Sequence, residues 1–134
     1  MSAPDAPQDN SDPVESGTLA GLICEILADK KGMDPLVLDV SGLTSITDYF
    51  VIVTGSSSPH LKAMYEDVQV NLKRRGIPCF RRAGEPTGNW MVLDYVDVVV
   101  HIFAAEARAF YALEELWADA ERVTMLESTP TGGA

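Results

Sequence analysis

Residues 90–103 read WMVLDYVDVVVHIF, the longest apolar run of the chain, broken only by Asp94, Asp97 and His101. Its valines and aromatics favour extended backbone. The run is too long for one ordinary strand, so it predicts a central hairpin turning at Tyr95-Val96, between the two aspartates. A two-residue type I′ loop needs positive φ at both positions, which β-branched Val96 resists, and a bulge or wider turn is expected. Polar groups in such a hairpin suggest that it carries something on its surface.

On the N-terminal side, Gly84-Glu85-Pro86-Thr87-Gly88 reads as a tight connection. Ile77 to Arg82 reads as a strand before it, at a sheet edge because Pro78 cannot donate a ladder hydrogen bond. Upstream of that strand, Leu61, Met64, Tyr65, Val68 and Leu72 recur at helical spacing. A serine cap and Pro59 open this helix, and Lys73-Arg74-Arg75-Gly76 closes it with basic residues at the negative dipole end and a glycine stop. Residues 49–55, YFVIVTG, have the content of a strand buried on both faces, and LVLDV at 36–40 is a shorter one. A first helix carries Leu19, Leu22, Ile23, Ile26 and Leu27 on one stripe, with Ser16 or Thr18 at its start and Lys30-Lys31-Gly32 at its end. After the hairpin, Phe110, Leu113, Trp117 and Ala120 predict a last helix from Ala104 or Ala105. The sum is a single α/β (α+β) domain, a mixed sheet of about five strands flanked by helices, at residues 18–124. A disordered acidic tail is expected at 1–17 and a flexible one at 125–134.

The 134 residues suit one domain, and 46% are hydrophobic. Ten basic and twenty acidic side chains give a net charge of −10, which argues against a nucleic-acid backbone as the main partner and for a basic protein. No apolar run reaches the ~18 residues of a membrane span and no signal peptide is apparent, so a cytoplasmic protein is expected. Cys24 and Cys79 are then expected to be separate thiols. Two Cys and two His, none in CxxC or HxxxH spacing, provide no metal pattern, and no cofactor is expected.

Three patterns tempt a catalytic reading. Gly55-Ser56 followed by Asp67 has the spacing of a two-metal nucleotidyltransferase, but the second carboxylate is replaced by Gln69. The serine-rich turn at 56–58 lacks the lysine of a phosphate loop, and a plain helix cap explains it. Asp94, Asp97 and His101 lack a nucleophile or third ligand; turn capping and a buried, hydrogen-bonded strand histidine account for them. Trp90 with Tyr95 can instead be an interface anchor or core, and Arg81 with Arg82 can be a solvated edge or reach an acidic patch or RNA.

The blocks DVSGLTSITDYFVIVTGSSSPHLKAM, GEPTGNWMVLDYVDVVVHIF and EARAFYALEELWADA together resemble the ribosomal silencing factor family, also called RsfS or Iojap, over residues 18–123. The departure is Val96, where many relatives carry glycine. The resemblance implies a nucleotidyltransferase-like fold without catalysis and a repressor of translation. It implies binding to the large ribosomal subunit through ribosomal protein L-fourteen, steric exclusion of the small subunit, and a homodimer when free. Carried over by residue, the partner surface falls on Trp90, Asp94 and Tyr95, with Met91, Arg82 and Glu85 beside them.

Overall fold

A computed structural model describes residues 15–123. The two expected tails lie outside the described residues except for 15–17, where Ser16 already opens the first helix. The elements are α1 (Ser16–Asp29), β1 (Met33–Asp39), β2 (Tyr49–Gly55), α2 (Ser58–Arg74), β3 (Arg81–Glu85) and a 3-10 turn at Pro86–Gly88. They continue with β4 (Trp90–Asp94), β5 (Val98–Ala104), α3 (Ala105–Tyr111), α4 (Leu113–Leu116) and β6 (Glu121–Val123). One six-stranded sheet runs β3-β4-β5-β2-β1-β6. The β2–β5 pair is parallel and every other pair antiparallel, so the sheet is mixed.

The sixth strand lies where the last helix was expected to continue. Glu121-Arg122-Val123 has no apolar alternation of its own and becomes a strand only by pairing with Val37–Asp39. The helix itself is broken: Ala112 takes φ 47, in the left-handed region, and separates α3 from α4. That break shifts the helical phase. Phe110 is consequently 80% exposed rather than core-facing, and its neighbour Tyr111 turns to the sheet. The strand expected at 77–82 also moves, to Arg81–Glu85, at the edge position that Pro78 suggested.

Helices α1 and α2 cover one sheet face. Leu19, Ile23 and Leu27 of α1 and Leu61, Met64, Val68 and Leu72 of α2 are all buried, packed in one cluster with Val51, Val53, Leu93, Val100 and Ile102 of the strands. Each such side chain contributes roughly 1.5–3 kcal/mol, so this layer dominates the fold's stability. The entry to α2 is held by Ser57, whose Oγ accepts from the His60 N–H at 3.2 Å. On the opposite face α3 and α4 cover a smaller cluster of Leu38, Val40, Ile52 and Phe103.

The hairpin turn is tighter than β-branching suggested. The Tyr95 N–H donates to the Val98 carbonyl and the Asp97 N–H to the Tyr95 carbonyl, both at 2.9 Å. Val96 does adopt positive φ, at 74°, a conformation that costs a non-glycine residue about 1–3 kcal/mol. Asp94 offsets part of this cost: its carboxylate accepts the Val96 N–H at 2.8 Å.

Gly84 fixes the pairing of β3 with β4. Its φ is +88°, and a Cβ there would lie 2.1 Å from the Trp90 carbonyl oxygen. Gly84→Ala is therefore expected to unpair the edge strand and to cost at least about 2 kcal/mol in chemical denaturation. Gly42→Ala, where a Cβ meets nothing within 4 Å, is the control and should stay within about 0.5 kcal/mol of the parent.

Candidate functional site

Strand register sorts the candidate residues onto two faces. Trp90, Val92 and Asp94 lie opposite Glu85, Ala83 and Arg81 on β3, and opposite Phe103, His101 and Val99 on β5. Cross-strand partners share a face. Trp90, Asp94 and Glu85 thus sit together, on the side away from α1 and α2, with Arg81 among them. Met91, Tyr95 and Arg82 belong to the other side.

On the first face the Trp90 ring is half-buried. It stacks on Phe103 with centroids 5.0 Å apart and meets Tyr111 of α3 at 4.4 Å. The indole N–H donates to His101 Nδ1 at 3.1 Å. Because tryptophan can only donate, Nδ1 is the acceptor and His101 is the neutral tautomer protonated at Nε2. Burial pushes the imidazole pKa down to about 4, so the ring is uncharged near neutrality. Phe50 closes the cluster edge-on, 5.3 Å from His101 and 5.2 Å from Trp117. The result is a rigid aromatic platform with one half-open indole. Arg81, Glu85 and the partly exposed Asp94 rim it with charge, Arg81 standing 4.0 Å from Asp94.

On the second face Met91 is 2% and Tyr95 6% exposed. Both pack in the cluster under α1 and α2, so in this fold they anchor the hairpin rather than present it. Burial pushes the Tyr95 phenol pKa up. Arg82 is exposed and donates to Gln69 of α2 at 3.4 Å. Sequence periodicity alone did not separate these residues, because W-M-V-L-D-Y is mainly apolar at both parities, with Asp94 the exception. It also missed Tyr111, whose place depends on the Ala112 break.

The catalytic patterns do not assemble. Asp67 stands nine helical residues beyond Ser58, about 14 Å along α2, too far for it to share a metal with Ser56. Gln69 spends its side chain on the Tyr65 carbonyl and on Arg82. Among the described residues no group of His, Cys, Asp and Glu is arranged to hold a metal ion. Ser56 Oγ lies 3.2 Å from His60 Nδ1, and His60 Nε2 lies 2.7 Å from the Lys30 carbonyl, an arrangement with the outline of a nucleophile and base. The Ser56 N–H, at 2.9 Å, already takes the Nδ1 lone pair, so the histidine ties the α2 entry to α1 instead of activating the hydroxyl. Both cysteines are free thiols; burial, and then the charge of Glu25, pushes Cys24 up to about 12.

A cavity of about 380 Å³ opens at the far end of the sheet, lined by Asp34, Thr54, Arg108, Glu114, Glu115 and Arg122 among others. One of its two arginines is already committed. Arg108 donates to the Asp34 carbonyl at 2.7 Å and to Thr54 Oγ1 at 2.9 Å, and pairs with the Glu114 carboxylate at 3.0 Å. These bonds clamp α3 and α4 to β1 and β2, so Arg108 and Glu114 serve the fold.

The model of the family described as ribosomal silencing factor during starvation matches residues 13–132. A ribosomal silencing factor of Chromobacterium violaceum is 38% identical over 104 residues, 78% of this chain and 85% of that protein. A mouse protein named for mitochondrial assembly of the ribosomal large subunit is 32% identical over 99 residues, which are 72% of this chain and 43% of the mouse protein. A crystal structure of a Chromobacterium violaceum protein superposes with a TM-score of 0.76 at 37% identity, covering 78% of this chain and 88% of the other.

Proposed function

Because the chain belongs to the ribosomal silencing factor family, we propose that it represses translation by binding the large ribosomal subunit through ribosomal protein L-fourteen and standing where the small subunit must dock. The reading is carried by the Trp90 platform. A half-open indole held by a hydrogen bond and three ring contacts is a pre-organised anchor, and such anchors contribute most of the binding energy of protein interfaces. Glu85 and Asp94 beside it suit a basic protein, and the chain's net charge of −10 steers it to one. Arg82 extends the surface around the edge strand. Met91 and Tyr95 hold the hairpin from behind.

The mechanism is steric and involves no bond chemistry. Family membership and the mouse relative's name both favour the large subunit as the partner. The protein acts in the cytoplasm and pairs as a homodimer when free, and no helix among the described residues is long and apolar enough to cross a membrane.

Adding the protein to purified subunits should lower the yield of joined ribosomes in a sucrose gradient, saturating when it is stoichiometric with large subunits. Preincubation with the large subunit should be effective and preincubation with the small subunit should not. Unchanged joining at excess protein would overturn the reading.

A further inference from the structure

Five of the ten Lys and Arg of this acidic chain fall in residues 73–82, KRRGIPCFRR, with no Asp or Glu among them. The fold keeps them together. Lys73 and Arg74 end α2, Arg81 and Arg82 open edge strand β3, and Lys73 and Arg82 line one notch of about 240 Å³ with Gln69, Ile77, Cys79 and Tyr95. Arg81 alone of the five has a carboxylate at ion-pair distance among the described residues, the Asp94 contact at 4.0 Å. Phe80 is 62% exposed, with the Arg81 guanidinium 4.9 Å from its ring centroid. The Tyr95 hydroxyl is buried without a hydrogen-bond partner. The Cys79 thiol next to it directs its hydrogen instead at the carbonyls of Arg81, at 3.2 Å, and Asp94, at 3.6 Å.

We propose that this end of the sheet is an RNA-contact surface, with Lys73, Arg74, Arg75 and Arg82 taking backbone phosphates around the notch and Phe80 with Arg81 stacking on an unpaired base. The chemistry matches on both counts. Lys and Arg side chains that neutralise phosphates release the condensed counterions, and an exposed aromatic under a guanidinium is a sequence-tolerant stacking platform.

The chain's overall negative charge does not oppose this. Glu121 lies on β6, five strand spacings or about 24 Å from β3, and Glu114 and Glu115 line the cavity at that same far edge with Arg122. At physiological salt the Debye length is about 8 Å, so those acids are largely screened from the basic edge. The nearby acids are Asp94, already beside Arg81, Glu85 at the other end of β3, and Glu66 and Asp67 on α2, about 9–10 Å along the helix from Lys73, with Glu66 already paired with Lys62. Protein recognition at Trp90 and RNA recognition at the strand edge can therefore coexist on a ribosome-bound domain, on opposite faces of the sheet beside β3. The inference rests on the ribosomal reading only for the source of the RNA, and naked RNA tests it independently.

The full chain would be titrated into a fluorescein-labelled stem-loop RNA at 50 and 200 mM salt, with fluorescence anisotropy as the readout. With about four phosphate contacts, affinity should fall about fiftyfold between these salts. Arg81→Gln/Arg82→Gln should weaken binding about tenfold and flatten the salt slope. Lys73→Gln/Arg74→Gln, on the helix, should do the same should the strand variant lose its fold. Phe80→Ala should weaken binding about fivefold or more without changing the slope. Lys62→Gln removes a cation elsewhere on α2 and should stay within about twofold of the parent. Absence of binding at 50 mM salt, equal weakening by Lys62→Gln, or equally tight binding of polyglutamate would each overturn the proposal, the last by assigning the patch to an acidic protein.

Discussion

Trp90→Ala should lower the affinity for large ribosomal subunits about thirtyfold or more and cost about 3 kcal/mol of stability. The first figure is a loss of roughly 2 kcal/mol, the threshold of an interface hot spot. The second follows from the packing. The indole stacks on Phe103 and Tyr111, and its loss leaves His101 Nδ1 without its donor. Binding must therefore be measured well below the variant's melting temperature, by cosedimentation with large subunits. Two companion variants separate contact from stability. Glu85→Lys reverses an exposed charge on the same face with little effect on folding, and should still weaken cosedimentation. Trp90→Phe keeps a ring but removes the N–H, and should recover part of the binding. If folded Trp90→Ala pellets with large subunits as the parent does, the platform is only core and the partner lies elsewhere.

The second large effect is on acid stability. His101 is 8% exposed and its pKa is about 4 in the folded chain, against about 6.5 when unfolded. Below pH 6.5 the unfolded chain takes up a proton that the folded chain refuses. Stability from this group is thus fully present above about pH 6.5 and is lost as pH falls towards 4, by about 3 kcal/mol in all. Protonation at Nδ1 also removes the acceptor for the Trp90 indole, so the platform should loosen in the same window. Urea denaturation at pH 7, 5.5 and 4 checks this, with indole fluorescence reporting the environment of tryptophan. His101→Asn, whose side-chain oxygen can replace Nδ1 as acceptor, should be less stable at pH 7 and lack this part of the pH slope. An identical slope in the two proteins would remove His101 as the cause.

Local elements were legible because their signals are local. The stripe Leu61, Met64, Val68, Leu72 and the run YFVIVTG each match one period over several residues, and tertiary structure had no reason to override them. Gln69 in place of a carboxylate was equally legible, and the position of Asp67 far along α2 agrees with it. The failures share a cause. Phe110 and Tyr111 are adjacent, and only the left-handed Ala112 decides which of them meets the sheet. Glu121–Val123 is a strand by virtue of its neighbour β1 alone. Val96 takes a conformation its side chain disfavours because Asp94 and the ladder hold it there.

The sequence by itself determined the chemical vocabulary: one mixed α/β domain, a central hairpin at 90–103, a missing second acid at position 69, and an acidic surface with a short basic stretch. Only the tertiary structure decided which residues share a face. Side-chain alternation assigns faces only when one parity is polar, and in W-M-V-L-D-Y both are mainly apolar, Asp94 being the exception. Burial of Met91 and Tyr95 under α1 and α2, and the open half of the Trp90 ring, come from layers built by segments distant in the chain, α1 among them. The same assembly brings the end of α2 to the edge strand, placing the cations of that short stretch around one notch.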